Sequence, residues 1–453
     1  MTPVPDLLIA HGTVVLPEET VQASVAVKDG KIVAIGDPRY MRAAARTLDA
    51  TGLHVLPGAI DVHVHFRDPG MLYKETWQSG SAAAAVGGVT TVFDMPNTDP
   101  ATSSVDNLAI KRARAASLSH VNYGLYGVLD DSSFEHLDDL VRAGVIGFKC
   151  FMSETTGDLP NPDDGLIYEG LSRLARHKIR TTVHAENAAI LIRRRDALMR
   201  AGRTDGLAHA ESRPEVCEVE ALGRAIAMAS AAGAPLHMAH TSSAQGAQVI
   251  RDAKARGVDL SAETCPHYLF FDRQDIQRFG GMLRVNPPVR GEAHHEGLWQ
   301  ALLDGTIDMI ATDHAPHTKD EKTQPSIWDC CRGVIGIETQ MAVMLTEVQR
   351  GRMSIEDYVR WSAFNPAQRW NLHPAKGSIT AGADADIAIV DLGVEERIDQ
   401  EKLHSLNRIS PWHGRLITAR PVHTIVGGRV VVENRRLVGE AGWGREVSPV
   451  GPA

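Results

Sequence analysis

Between residues 59 and 313, short runs rich in β-branched residues alternate with longer Ala-, Leu- and Arg-rich stretches, and no other feature of the chain narrows its fold as much. The runs are AIDVHVH (59–65), VTTVFDM (89–95), VNYGLYGV (121–128), VIGFKCF (145–151), IRTTVHA (179–185), PLHMAH (235–240), VDLSAE (258–263) and TIDMIATD (306–313). Between them, ETWQSGSAAAAVGG, VEALGRAIAMASAAG and AQGAQVIRDAKARG carry apolar residues at helical spacing and end on glycines, which suit a helix C-terminus. Strands alternating with helices make a parallel sheet, and eight is the number that closes a barrel. An open, doubly wound sheet is the alternative, but no G-x-G-x-x-G follows the first strand.

The two ends have another texture. LLIAHGTVVL, SVAVKDGKIVAIG and HVLPG read as short strands, with Asp-Gly in KDGK as a hairpin turn. ADIAIVDL and VHTIVGGRVVVENRRLV repeat that texture at the far end, with GG or EN at the turns. The expected architecture is a (β/α)₈ TIM barrel over 58–372, with a small β-sandwich-like domain built from residues 1–57 and 373–453. At 43% hydrophobic and 23% charged, the chain can bury such a core. With 47 Lys+Arg against 56 Asp+Glu, a net charge of −9 argues against nucleic acid as a partner. No apolar run approaches the ~18 residues of a membrane span. MTPVPDLLIAHG lacks the pattern of a signal peptide. Five scattered cysteines (150, 217, 265, 330 and 331) without C-x-x-C spacing point to a reducing, cytoplasmic location.

Barrel enzymes carry their chemistry at the C-terminal ends of the strands. His63 and His65 close the first run, and their period-2 spacing puts both on one face. Lys149 lies in the fourth run, and His184, His240 and Asp313 end the fifth, sixth and eighth. Nitrogen and oxygen donors converging in this way suit Zn²⁺ or a similar divalent ion. Arg67, two residues beyond His65, points to the same rim and is suited to grip a carboxylate bidentately; a surface ion pair with Asp68 or Glu75 is the plainer reading. Asn97, in the MPNT turn, is placed to donate to the same carboxylate, although it is also an ordinary turn residue.

With their flanks, these residues resemble the cyclic amidohydrolases of the amidohydrolase superfamily, most closely the dihydroorotases. The likeness runs through DVHVHFRDPG (61–70), GGVTTVFDMPNTDP (87–100), GFKCFM (147–152), HAEN (184–187), HTSS (240–243), ETCPHYL (263–269), VNPPVR (285–290), ATDHAPHTKDEK (311–322) and GADADIAIVDL (382–392). HAEN, the SRP at 212–214 and ETCPHYL are also similar to allantoinases and hydantoinases.

The resemblance implies a metal-dependent, reversible hydrolysis of L-dihydroorotate to N-carbamoyl-L-aspartate, a step of pyrimidine biosynthesis. It implies two zinc ions: His63, His65 and Asp313 on one, His184 and His240 on the other, and Lys149 bridging them as a carbamate. Such a centre keeps a small positive charge and favours an anionic cyclic ureide. Asp313 would shuttle the proton between the attacking water and the leaving nitrogen, or serve as a ligand alone. Asn286 and His317 look like contacts to the substrate, with a solvated loop histidine as the alternative for His317. A homodimer or homotetramer is implied, with a possible association with aspartate transcarbamoylase.

The stretch PSIWDCCRGVIGIET (325–339) departs from the dihydroorotase pattern. Arg332 and Gly333 there are expected to keep the backbone contact to substrate, or Arg332 to add a second cation. An allantoinase- or hydantoinase-like enzyme acting on another ureide ring is the alternative function.

Overall fold

The computed structural model describes residues 4–41, 43–157 and 159–449. Eight parallel strands form the barrel wall: β1 (Ala59–Val64), β2 (Val89–Asp94), β3 (Asn122–Val128), β4 (Gly147–Phe151), β5 (Thr181–His184), β6 (Leu236–Met238), β7 (Leu260–Thr264) and β8 (Met309–Ile310). Each pairs with the next in chain order. All eight runs read from the sequence become barrel strands, since their side chains are buried on both faces, as a parallel sheet under helices requires.

The last strand is shorter than 306–313 suggests. Beyond Ile310 the chain leaves the ladder, because the Thr312 amide donates to the Asp61 carboxylate (3.1 Å) rather than to a strand. The barrel then closes through an isolated bridge between Val64 and His314, with the His65 amide donating to the His314 carbonyl at 2.8 Å.

The helices follow local rules. Trp77–Val86 opens on Thr76, whose hydroxyl accepts from the Ser79 amide while Ser79 returns a bond to the Thr76 amide. Its Ala82–Ala85 run is buried, so the helix lies close on the wall. Glu215–Ala232 stops at Gly233, whose φ of 64° is the left-handed conformation that ends helices.

The ends of the chain build one nine-stranded sheet. Thr20–Lys28 and Lys31–Gly36 form the hairpin around Asp29-Gly30, both residues at positive φ (48° and 76°). Gly427-Gly428 turns Arg420–Val426 into Arg429–Glu433. His54–Pro57, just before the barrel, pairs antiparallel with Ile387–Asp391 after it, setting Val55 opposite Ile389. Val25, Val55, Ile387, Ile389 and Ile425 fill the core of this sheet. Fully burying such side chains contributes about 1.5–3 kcal/mol each. Asp386 ties the sheet to the barrel floor by accepting from Asn122 on β3 (3.0 Å) and from the Gly427 amide (2.7 Å).

Candidate metal centre and active site

The C-terminal strand ends bring His63, His65, Lys149, His184, His240 and Asp313 to the floor of one open cavity. His63 Nε2 lies 3.3 Å from Asp313 Oδ1 and 3.3 Å from Lys149 Nζ. His65 Nε2 is 3.1 Å from the same aspartate oxygen. On the far side, His184 Nδ1 and His240 Nε2 approach to 2.9 Å. His63, His65 and Asp313 offer donor atoms within 4.8 Å of one another.

Backbone strain marks this place. Arg67, His240 and Asp313 have φ of 61°, 34° and 46°, conformations that cost residues other than glycine about 1–3 kcal/mol and cluster at functional sites.

A carboxylate absent from the sequence reading orders the ligands. Glu263, wholly buried on β7, accepts from His63 Nδ1 (2.5 Å), His237 Nε2 (3.1 Å) and the His240 amide (3.0 Å). An ionised carboxylate only accepts, so His63 carries its proton on Nδ1 and turns a bare Nε2 towards Asp313 and Lys149. Glu186 does the same for His184 Nε2 (3.0 Å) and is held in turn by Arg213. Their signal was in the sequence: a glutamate inside an apolar strand, and another two residues after His184, must be paired if buried.

Burial dominates the electrostatics. It pushes His65 down to about 3, with Arg67 adding to the effect. His240 is pushed well below its usual range by burial and by His184 and Lys149. Lys149 is pushed down to about 8 by burial, against the pull of Glu263 and Asp313. Burial alone would raise Asp313, but His63, the bond from His65, and His240 outweigh it and hold the carboxyl well below the ordinary carboxylate range. Neutral imidazoles beside an ionised carboxylate are the donor forms a divalent cation needs. Nδ1 of His240 is buried without a partner, so the residues present fit a metal centre.

The expected substrate contacts divide. Arg67 lines the cavity, buried, with Nε and Nη1 unpartnered among the described residues. The plainer ion pair does not form: Asp68 is taken by Arg114 (2.8 Å), and Glu75 accepts from the Leu406 amide (3.0 Å). Asn97 lines the cavity too, but its oxygen accepts from His65 Nδ1 (2.8 Å) and its amide donates to the Thr156 carbonyl (3.0 Å), so it supports His65 instead of donating to a carboxylate. Asn286 is turned with its nitrogen on His209 (2.9 Å) and its oxygen on Arg213 (3.1 Å).

His317 is not a solvated loop residue and does not line the cavity over the metal centre: Nδ1 meets Lys74 (2.9 Å) and Nε2 holds the Arg332 carbonyl (2.9 Å). Gly333 lines the cavity at φ 150°, but its amide donates to the Arg284 carbonyl (2.9 Å) and its carbonyl accepts from Lys322 (2.6 Å). The backbone contact to substrate expected there is therefore spent inside the loop. Arg332 reaches the cavity with its side chain.

Residues 54–431 match the family model described as the amidohydrolase family. The chain belongs to the amidohydrolase family. Among curated amidohydrolase relatives, an allantoinase of Rubrobacter xylanophilus is 40% identical over 444 residues, 96% of each chain. An L-hydantoinase of Paenarthrobacter aurescens is 33% identical, covering 98% of each. The solved L-hydantoinase (dihydropyrimidinase) from Arthrobacter aurescens superposes with a TM-score of 0.96 at 33% identity, over 98% of this chain and 100% of that one. A dihydropyrimidinase from Brevibacillus agri gives 0.92 at 31% identity, over 98% and 99%.

These relatives correct the expected activity. Full-length similarity at 33–40% runs to proteins named allantoinase and hydantoinase, so the dihydroorotase reading gives way, and pyrimidine biosynthesis and aspartate transcarbamoylase go with it. Of the motifs that suggested it, HFRDPG and MPNT place His65, Arg67 and Asn97 at the cavity, whereas the loop at 325–339, which departs from the pattern, contributes Arg332 and Gly333 to its lining. Among the described residues, no helix is long and apolar enough to cross a membrane.

Proposed function

We propose that the protein is a metal-dependent hydrolase that opens the cyclic amide of a ureide ring of the allantoin–hydantoin class. The convergence of six donors from five strand ends, three of the cavity residues at strained φ, carries this reading. Two divalent ions, zinc by donor chemistry, would be held by His63, His65 and Asp313 and by His184 and His240, with Lys149 as a carbamate between them. An amine whose pKa falls to about 8 has a sizeable neutral fraction in ordinary buffers, and the neutral amine is the form that adds CO₂. When bound, the ions polarise the amide carbonyl and lower the pKa of water.

The chain's own groups do the rest. Asp313 takes the proton of the attacking water and returns it to the ring nitrogen that leaves. Glu263 and Glu186 hold the imidazoles in the required tautomer. Arg67 offers its unpaired donors to the ring oxygens and to the carboxylate that opening creates. In the same reading, residues 58–372 form the catalytic domain, with 1–57 and 373–453 as the second. Five free cysteines suit a cytoplasmic enzyme.

Zinc-loaded protein assayed on allantoin, hydantoin and dihydropyrimidines tests the proposal. Ring opening of at least one, lost on chelation and restored by metal, is expected. No opening of any refutes it.

A further inference from the structure

Above the metal floor, the loops after β4 and β8 meet across the cavity. Glu154 Oε1 lies 3.1 Å from Arg332 Nη1 in an ion pair, and both residues line the cavity. Glu154 also pairs with Arg213 (2.9 Å) and Arg195 (3.1 Å). Those two have other partners, Glu186 and Asp196, whereas Glu154 is the one side-chain partner of Arg332 among the described residues. Partial burial would raise the Glu154 carboxyl, but the three guanidiniums outweigh it, so the group is an acceptor only. Arg332 has five N–H donors and uses few of them.

Only Phe151, Val285 and Ala315 give the lining an apolar character. An alkyl or aryl substituent laid against Glu154 and Arg332 would strip water from two charges without replacing its hydrogen bonds. A carboxylate substituent would meet Arg332 but be repelled by Glu154. A planar urea group has a carbonyl oxygen to accept and N–H groups to donate, side by side, and satisfies both residues together.

We infer that Glu154 and Arg332 form a recognition pair for a ureido substituent on the substrate ring, the urea oxygen on Arg332 and its N–H groups on Glu154. This rests on the reading of the site as a cyclic-ureide hydrolase and makes allantoin, rather than an alkyl- or arylhydantoin, the preferred class.

The test compares kcat/KM for allantoin and for unsubstituted hydantoin in the zinc-loaded wild type, Arg332→Ala and Arg332→Lys. Arg332 is chosen because its side chain is partly exposed and its backbone is held independently by His317. The allantoin-to-hydantoin ratio is expected to fall at least tenfold in Arg332→Ala, mainly through KM for allantoin, and Arg332→Lys, which keeps the charge but loses the fork, should recover part of it. A ratio within twofold of wild type in Arg332→Ala overturns the inference. Wild-type protein that opens a dihydropyrimidine but neither of these rings also overturns the inference, and protein that opens none of the three overturns the reading of the active centre itself, a result distinct from an unchanged ratio.

Discussion

Replacing Glu263 by Gln alters neither shape nor volume, yet it removes the charge that orders the metal-facing imidazoles. Oε1 accepts two bonds, from His63 Nδ1 and the His240 amide, and Oε2 accepts one from His237. His237 can adapt, because its Nδ1 lies 2.8 Å from the Ser261 hydroxyl and can take the proton there, letting Nε2 accept from the new amide. The damage falls on the two bonds to Oε1. Each declines from charge-assisted, about 1.5–3 kcal/mol, to neutral, about 0.5–1.5 kcal/mol. Together they lose about 2–3 kcal/mol, and the share borne by His63 loosens the tautomer that bares Nε2. A 10–100-fold weaker hold on metal follows, the usual effect of removing such a supporting carboxylate. Competition with a chelator at fixed pH, on protein whose circular dichroism matches wild type, reads the affinity directly. A metal dissociation constant within twofold of wild type in the folded variant would show that Glu263 does not set the His63 tautomer.

Three further tests address other parts of the site. Reconstitution of apo-protein with zinc should require CO₂ and, at a fixed concentration of dissolved CO₂, slow about tenfold per pH unit below about 8, because burial depresses the Lys149 amine and protonation withdraws its reactive form as pH falls; a rate independent of CO₂ would exclude the carbamate. Arg67→Met should raise or leave unchanged the thermal midpoint, since it removes a buried cation with unpartnered donors, while cutting kcat/KM at least tenfold; a large fall in the midpoint would mean that Arg67 is structural. Gly333→Ala should cost about 1–3 kcal/mol in denaturant unfolding, because its Cβ would lie 2.3 Å from the Ala315 carbonyl oxygen at a φ of 150°; an unchanged midpoint would count against that constraint.

The barrel was legible because two-sided burial of parallel strands writes continuous apolar runs, and each of the eight became a strand. The metal-facing donors were legible for a related reason. A histidine that ends such a run stands at the barrel mouth, as His184 on β5 shows. What escaped was set by contacts distant in sequence. Glu263 meets His63 across 200 residues, and no local pattern announces such a pair. Asn97 and His317 were identified as polar residues near the site, but which neighbour each bonds depends on Thr156 and Lys74, brought in by other loops. The substrate was hardest, because the short loops that contact it carry no periodicity and the strand-end motifs report on the metal chemistry common to many rings.

The pairing of His54–Pro57 with Ile387–Asp391 has a consequence for how the protein is made. The inner edge of the terminal sheet leaves the ribosome about 330 residues before the strand that completes it. At about 5–20 residues per second, that edge waits roughly 15 to 65 seconds, an unpaired template for any other strand it meets. Val55 and Leu56, buried in the finished protein, stand exposed for that interval. Crowded translation and truncation before residue 387 are therefore the conditions expected to favour aggregation of this chain, while the sheet is still open.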